Sequence, residues 1–344
     1  KVLLKFDNEY LLDKKEIQEL ENLINSEDPE VVLDHLIIRL KVNLKKGFSK
    51  IGTTALNLIM DSIKKDLKNF GVSQNLWYKE TSLYKSSTNK LSPIENTIKI
   101  LKENNYLYEK DGALWFISSS FEDNKDRVVE KENGEKTYFA SDMAYHFYKY
   151  QRGYNKIINI WGADHHGYLP RVRSAVKALN EDPSKLEVIF IQFVSLLKGG
   201  KKLPMSTRQG QFTSLRELMT EVSPGAARFF FINRKAEQHL DFDLDLIKEQ
   251  SKDNPLYYIQ YAHARICSVF RKLKSKNIIY DEDLAITNIN NLSSSKEKEI
   301  QRLLSRYPEV ILRAAKNYEP HLICYYLKDL AANFHSSYND EKIL

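Results

Sequence analysis

The chain has 344 residues, 42% of them hydrophobic, and a formal net charge of +6. That length can bury a full core and points to two or three domains. No run of about 18 apolar residues is present, which excludes a spanning helix, and no apolar leader with a cleavage site marks the chain for secretion. The charge is compatible with an RNA partner without requiring one. Cys267 and Cys324 both lie in apolar helical patterns without metal-ligand spacing. They read as reduced core thiols, and no metal site is expected.

The chain opens at Lys1 in mid-pattern, so preceding sequence is expected. Residues 14–27, 29–45 and 52–70 carry helical apolar spacing. Ser92 opens a further helix, with Pro93 in first position and Glu95 in the first turn, running to about Asn104. Short strands follow at 106–109, 113–117 and 127–129, with Asp111-Gly112 as the turn. Residues 137–150 return to helix, 156–161 form an apolar run ending at Gly162, 170–179 are helical, and 186–194 form a second buried strand. Strand, glycine loop, helix, strand is the rhythm of a parallel α/β sheet. From Ser214 onward the pattern is nearly all helix: 215–222, 225–233, 245–274, 296–303, 308–317 and 318–338, with 281–295 as a polar loop. The expected fold class is therefore α/β followed by all-α.

Four segments carry chemistry. In chain order they are Tyr138-Phe-Ala-Ser-Asp-Met-Ala-Tyr-His146, Ile160-Trp-Gly-Ala-Asp-His-His-Gly167, Lys201-Lys-Leu-Pro-Met-Ser-Thr-Arg-Gln-Gly210, and Asp241-Phe-Asp-Leu-Asp245 with Asn254-Pro-Leu-Tyr-Tyr-Ile-Gln-Tyr-Ala-His-Ala-Arg265. In order and spacing they resemble the arginyl-tRNA synthetases, from about Ile98 to the C-terminus. The last segment is the most specific. The Met-Ser-Thr-Arg loop by itself indicates only a class I synthetase.

The resemblance implies the second half of a class I, Rossmann-type nucleotide-binding fold with a helical insertion over about 1–105. A catalytic domain over 1–250 and a helical anticodon-binding bundle over 251–344 are expected. It implies a cytoplasmic, monomeric ligase that activates L-arginine with ATP and Mg²⁺ and transfers arginyl to the 3′ end of arginine tRNA. The His-Ile-Gly-His-type tetrapeptide of this class is absent from the chain, and a final loop and helix would follow Leu344 in the family. The segment alone is therefore not expected to be competent.

Site roles follow from the resemblance residue by residue. Met205, Ser206, Thr207 and Arg208, with Lys202, stand where a mobile loop meets the ATP phosphates. Cations and amides there stabilise charge that builds in the transition state. Pro204 and Thr207 replace the two lysines of the usual pattern, so Arg208, Lys201 and Lys202 share that task as alternatives. Tyr138 and Asp142 lie four apart and share a helix face. They are the arginine-binding pair, because a carboxylate can accept two N–H bonds from a planar guanidinium. The loop Gly162 to Gly167 contributes His165 to arginine, and Gly162, Asp164 and His166, with Met205, to the nucleotide. Its alignment leaves Asp164, His165 and His166 as alternatives for the arginine contact. Tyr257, Tyr258, Gln260, Tyr261, His263 and Arg265 are too dense for one apolar stripe, so some face outward and can stack on splayed bases. Tyr257, Tyr261, Ala264 and residues 267–269 form the buried stripe on the opposite face. A tRNA-binding paralogue without catalysis is the competing reading, and a class I synthetase for cysteine or methionine a weaker one.

Overall fold

A computed structural model of the chain describes residues 18, 37–38, 40–42, 44–87, 90–204 and 213–340. Backbone packing divides it into residues 1–74 and 75–344. The helices expected over 14–27 and 29–45 fall largely outside the described residues. In the first unit, helix α1 (Lys46–Asn69) starts six residues before the expected Gly52. A Cβ at Gly52 would meet nothing, and an interior glycine only weakens a helix by about 1 kcal/mol.

The second unit begins its regular structure with a 3-10 turn (Glu80–Tyr84) and helix α2 (Pro93–Glu103). Ser92 and Glu95 close a reciprocal capping box at the start of α2, which satisfies two backbone donors left over at a helix N-terminus. Strands β1 (Leu107–Lys110), β2 (Ala113–Phe116) and β3 (Arg127–Glu130) make an antiparallel sheet in that order. The Asp111-Gly112 turn has φ of 51° and 72°, the doubly positive geometry that two-residue hairpins favour. Helix α3 (Tyr138–Tyr150) packs Phe139, Ala140, Met143 and Ala144 into one core with Leu101 and Phe116.

Strand β4 (Ile157–Gly162), helix α4 (Leu169–Ala178) and strand β5 (Leu186–Ile191) form a parallel β-α-β unit, paired in register from Ile157 opposite Leu186. The apolar run 186–194 is not one strand. It bends at Gln192, whose amide donates to the Ala236 carbonyl at 2.8 Å, and continues as β6 (Val194–Lys198) in another sheet. That sheet has the order β7-β6-β8, with β7 (Lys201–Lys202) antiparallel and β8 (Leu240–Asp243) parallel to β6. Strand β8 lies in the gap between the helices expected over 225–233 and 245–274, a strand within a stretch whose texture is otherwise nearly all helix. Leu240 and Phe242 are buried and Asp241 exposed, the two-residue alternation of a strand.

Helices α5 (Leu215–Glu221) and α6 (Pro224–Ile232) precede β8, and a short α7 (Leu244–Lys248) follows it. The single helix expected over 245–274 is interrupted. Asn254 caps α8 (Pro255–Ser275) through Leu256 and Tyr257 amides, and Pro255 takes its first position. A proline there has no amide to satisfy and disfavours helix in the preceding residue. The polar stretch 281–295 contains a short helix α9 (Glu282–Thr287) capped by Asp281. The bundle is completed by α10 (Ser295–Ser305), α11 (Tyr307–Asn317) and α12 (His321–Asp340). Tyr318 is a left-handed cap with φ 57° rather than a helical residue. Cys324 is buried, whereas Cys267 is only half-buried beside His263, so just one of the two thiols is a core residue. No described helix is long and apolar enough to cross a membrane.

Candidate active site

Helix α3 builds the centre of the site. Its cap, Thr137, accepts from the Ala140 amide and donates to the Val128 carbonyl at 2.9 Å, which fixes the helix start to β3. Tyr138, in first position, is 89% exposed. Asp142, one turn on, is half-buried. Its Oδ2 accepts the Tyr168 hydroxyl at 2.7 Å. Burial, and then the Asp142 charge, push the Tyr168 phenol well above its ordinary range, so it stays a donor. Tyr168 closes the 3-10 turn Ala163–Tyr168 that follows β4. Asp142 is thereby tied to the glycine-flanked loop at the carboxyl end of a parallel strand, where open α/β sheets bind ligands.

Behind Asp142 runs a buried polar relay. The Asn159 amide donates to His146 Nε2 at 2.8 Å, and Lys149 donates to Asn159 Oδ1 at 2.8 Å. His146 Nδ1 therefore carries the hydrogen and donates to the Asp142 carbonyl at 2.8 Å. Burial, then the Lys149 charge, push the imidazole down to about 4, which keeps it neutral. Lys149 is itself lowered to about 8 by burial and by the neighbouring Arg152 charge. The relay orients the helix turn bearing Asp142 without reaching into the open cavity.

That cavity, about 380 Å³, is lined by Tyr78, Glu80, Leu83, Tyr138, Ser141, Asp142 and Tyr145. Its volume lies in the range of small-ligand sites. Five of these residues (Tyr78, Glu80, Leu83, Ser141 and Tyr145) have no site role expected from the sequence, and the first three lie in the stretch read as insertion. Their segment is held to α3 by rings and one hydrogen bond. Tyr78 lies 4.7 Å from the Tyr145 ring and 4.9 Å from the Tyr148 ring, centroid to centroid. The Tyr84 and Ser141 hydroxyls stand 2.5 Å apart. The one sequence signal was the aromatic pair Trp77-Tyr78 followed by an acid in a polar stretch, and no period connects it to residue 142.

In the loop, a Cβ on Gly162 would collide with Asp164 Oδ1. Asp164, His165, His166 and Gly167 are exposed. His165 Nε2 lies 3.6 Å from Asp164 Oδ2, and the His166 ring stacks on Phe190 at 3.6 Å. Trp161 packs edge-on against His146, Tyr168 and Phe190, joining α3, the loop and β5. The structure thus brings Tyr138, Asp142 and the Gly162–Gly167 loop into one region.

Met205, Ser206, Thr207 and Arg208 lie outside the described residues. Lys202 is exposed on β7, beyond a turn in which Gly199 and Gly200 have φ of 59° and 70°. The hairpin base is braced by Lys198 and Lys248, both paired with Glu221, whose carboxyl they hold down to about 2. The Gly199 amide donates to Asp245 at 2.6 Å. The acidic segment 241–245 therefore supports the hairpin that leads to the 205–210 loop.

On α8, Gln260, Tyr261, His263 and Ala264 are exposed, and Tyr257, Tyr258 and Arg265 are half-buried. Tyr261 and Ala264 therefore do not belong to a buried stripe; Ala262 is the buried residue of this helix. Arg265 turns inward. Its NH1 donates to His335 Nδ1 and to Asn339 Oδ1, each at 3.0 Å. Its guanidinium lies between the rings of Tyr261 and Tyr338, at 4.6 and 4.8 Å. His335 Nε2 in turn donates to the Tyr258 carbonyl at 3.0 Å.

Residues 2–244 match the family described as tRNA synthetases class I (R), catalytic domain. The chain belongs to the class I arginyl-tRNA synthetase family. Residues 259–344 match the DALR anticodon binding domain. Among curated relatives, an arginine–tRNA ligase of Legionella pneumophila (strain Corby) is 49% identical over 318 residues, 92% of this chain and 53% of the relative. One from Thioalkalivibrio sulfidiphilus is 50% identical over the same shares. The chain thus spans about half the length of the curated relatives it matches. A solved Campylobacter jejuni structure described as an arginyl-tRNA synthetase superposes with a TM-score of 0.79 at 33% identity, covering 93% of this chain and 70% of that one. The Thermus thermophilus arginyl-tRNA synthetase, 19% identical with a TM-score of 0.64, covering 91% of this chain and 58% of that one, shares the fold. Rossmann-type catalytic elements followed by an α-helical region of the anticodon binding domain family are the architecture of this chain.

Proposed function

We propose that this chain forms the arginine pocket and the anticodon-binding part of an arginine–tRNA ligase. The reaction joins the arginine carboxylate to the ATP α-phosphate, releasing pyrophosphate. The tRNA 3′-terminal hydroxyl then displaces AMP from arginyl-adenylate. No covalent enzyme intermediate is required, so positioning and electrostatics carry the acceleration. The observation that carries this reading is the acceptor-lined cavity at Asp142, tied through Tyr168 to the loop at the end of β4. Asp142 receives the guanidinium, Tyr138 covers it, and the loop with His165 faces the amino acid and nucleotide. Met205 to Arg208 and Lys202 meet the phosphates.

Among the described residues, no three His, Cys, Asp or Glu side chains stand together as metal ligands. Mg²⁺ belongs to this reading as the counter-ion of ATP. Arginine tRNA is the partner of the bundle, where Gln260, Tyr261 and His263 offer exposed planar groups. The reading carries with it a monomer working in the cytoplasm, where charged tRNA is consumed.

The test is arginine-dependent ATP–pyrophosphate exchange by the full-length protein in the presence of tRNA, paired with its intact mass. Exchange with arginine and none with lysine is expected. No exchange together with retained tRNA binding would instead favour a tRNA-binding paralogue.

A further inference from the structure

We propose that Arg171, in the first turn of α4, holds a backbone phosphate of the single-stranded 3′ end of the tRNA; this deepens the functional reading above and rests on it. The Arg171 guanidinium lies over the Tyr168 ring, 5.4 Å from its centre, and Tyr168 is the residue that donates to Asp142. A cation is thereby held one ring away from Asp142. Its Nε is buried without a hydrogen-bond partner among the described residues, and no described carboxylate is paired with it. Arg127, the other guanidinium whose charge acts on Tyr168, is committed instead. It donates to both oxygens of Asp123, at 2.7 and 2.8 Å. A buried donor left unmet is costly, so a free fork beside a site is an arrangement that a ligand completes.

The sign and shape of that ligand follow from the surroundings. Helix α4 has no acid in its first turn and no side-chain cap at Tyr168. A helix N-terminus carries partial positive charge, which a first-turn arginine adds to rather than offsets, and both favour an anion. A planar fork suits the paired oxygens of a phosphate. In the reading above, the ATP phosphates fall to Lys202 and residues 205–208, and the amino acid to Tyr138, Asp142 and the loop of residues 162–167. Arg171 follows directly on that loop, through Tyr168, Leu169 and Pro170. The tRNA strand must reach the same point, because its 3′-terminal hydroxyl attacks the adenylate there. Every nucleotide behind that hydroxyl brings a phosphate.

The experiment is filter-binding titration of arginine tRNA, intact or trimmed of its single-stranded 3′ end, against the full-length protein and its Arg171→Gln variant at several salt concentrations. Glutamine keeps a planar group against Tyr168 and removes the charge. Arg171→Lys, which keeps the charge, is the second variant. Arg171→Gln should bind intact tRNA about tenfold more weakly, with the slope of log affinity on log salt smaller by about 0.7. It should bind trimmed tRNA as the unsubstituted protein does. Arg171→Lys should keep the salt slope and lose less affinity. Equal losses on intact and trimmed tRNA, or intact-tRNA affinity within twofold of the unsubstituted protein, would overturn the assignment of Arg171 while leaving the functional reading in place. So would a loss confined to calorimetric titration of ATP or arginine, which would put Arg171 on the ATP phosphates or behind Tyr168. Failure of the unsubstituted protein to bind arginine tRNA would overturn both.

Discussion

Tyr168 hands its phenolic hydrogen to Asp142 across 2.7 Å, although the two stand 26 residues apart. One hydrogen bond thus links the carboxylate on α3 to the loop that follows β4. It also selects which lone pairs of Asp142 remain for a ligand.

Removing the Asp142 charge should be severe. Asp142→Asn is expected to raise KM for arginine by about 100-fold or more, since a charge-assisted bond contributes about 1.5–3 kcal/mol and the amide would also present a donor toward a cation. Tyr168→Phe keeps the ring but frees the carboxylate to rotate, and should cost about five- to tenfold in the same constant. Exchange kinetics at varied arginine separate the two. Equal effects would show that Tyr168 acts as a ligand contact rather than as the anchor of Asp142.

Gly162→Ala places a methyl group against the Asp164 carboxylate. The side chain must leave its rotamer or the turn must shift. The expected result is a stability change within about 0.5 kcal/mol, because the exposed Asp164 carboxylate can swing aside, with a clear fall in exchange rate because that carboxylate leaves its place in the loop. Urea unfolding and exchange on the same preparation measure both. A variant with unchanged stability and activity would mean that the loop adapts freely.

His146 makes stability depend on pH. Its folded value, about 4, lies below the ordinary 6.5, so the unfolded chain binds the extra proton between these values. Stability from this group is fully present above about pH 6.5 and falls as pH drops toward 4, by up to about 3 kcal/mol. His321, also lowered by burial, acts in the same direction. Urea midpoints should therefore decline between pH 7.5 and 5, and His146→Gln, which cannot titrate, should decline less. Parallel curves for the two proteins would remove His146 as the source.

The two kinds of residue on α8 should separate cleanly. Arg265→Ala removes bonds to His335 and Asn339 and leaves two rings unfilled. It should destabilise the bundle by about 2–3 kcal/mol, and weaken tRNA binding only through that loss. His263→Ala, on the exposed face, should leave the thermal midpoint unchanged and weaken tRNA binding by about 1–3 kcal/mol if a base stacks there. Filter-binding titrations with arginine tRNA beside thermal melts decide between these outcomes.

Local rules determined much of this protein from its sequence. The four-residue spacing of Tyr138 and Asp142 puts them on one face of any helix. Asp111-Gly112 specifies its hairpin, and Ser92, Pro93 and Glu95 mark a helix start, because each feature depends on neighbours within a few residues. The strings around residues 138–146, 160–167, 201–210 and 254–265 carried the family. The alternation at 240–242 was legible too, but it was overrun by the helical texture on either side. What only the tertiary structure decided spans greater distances. Ser141 meets Tyr84 57 residues away, and Arg265 meets His335 70 residues away. No periodicity records such pairs. Burial and packing choose them after the elements form, and so they alone brought Glu80 to the Asp142 cavity and joined Arg265 to the last helix of the bundle.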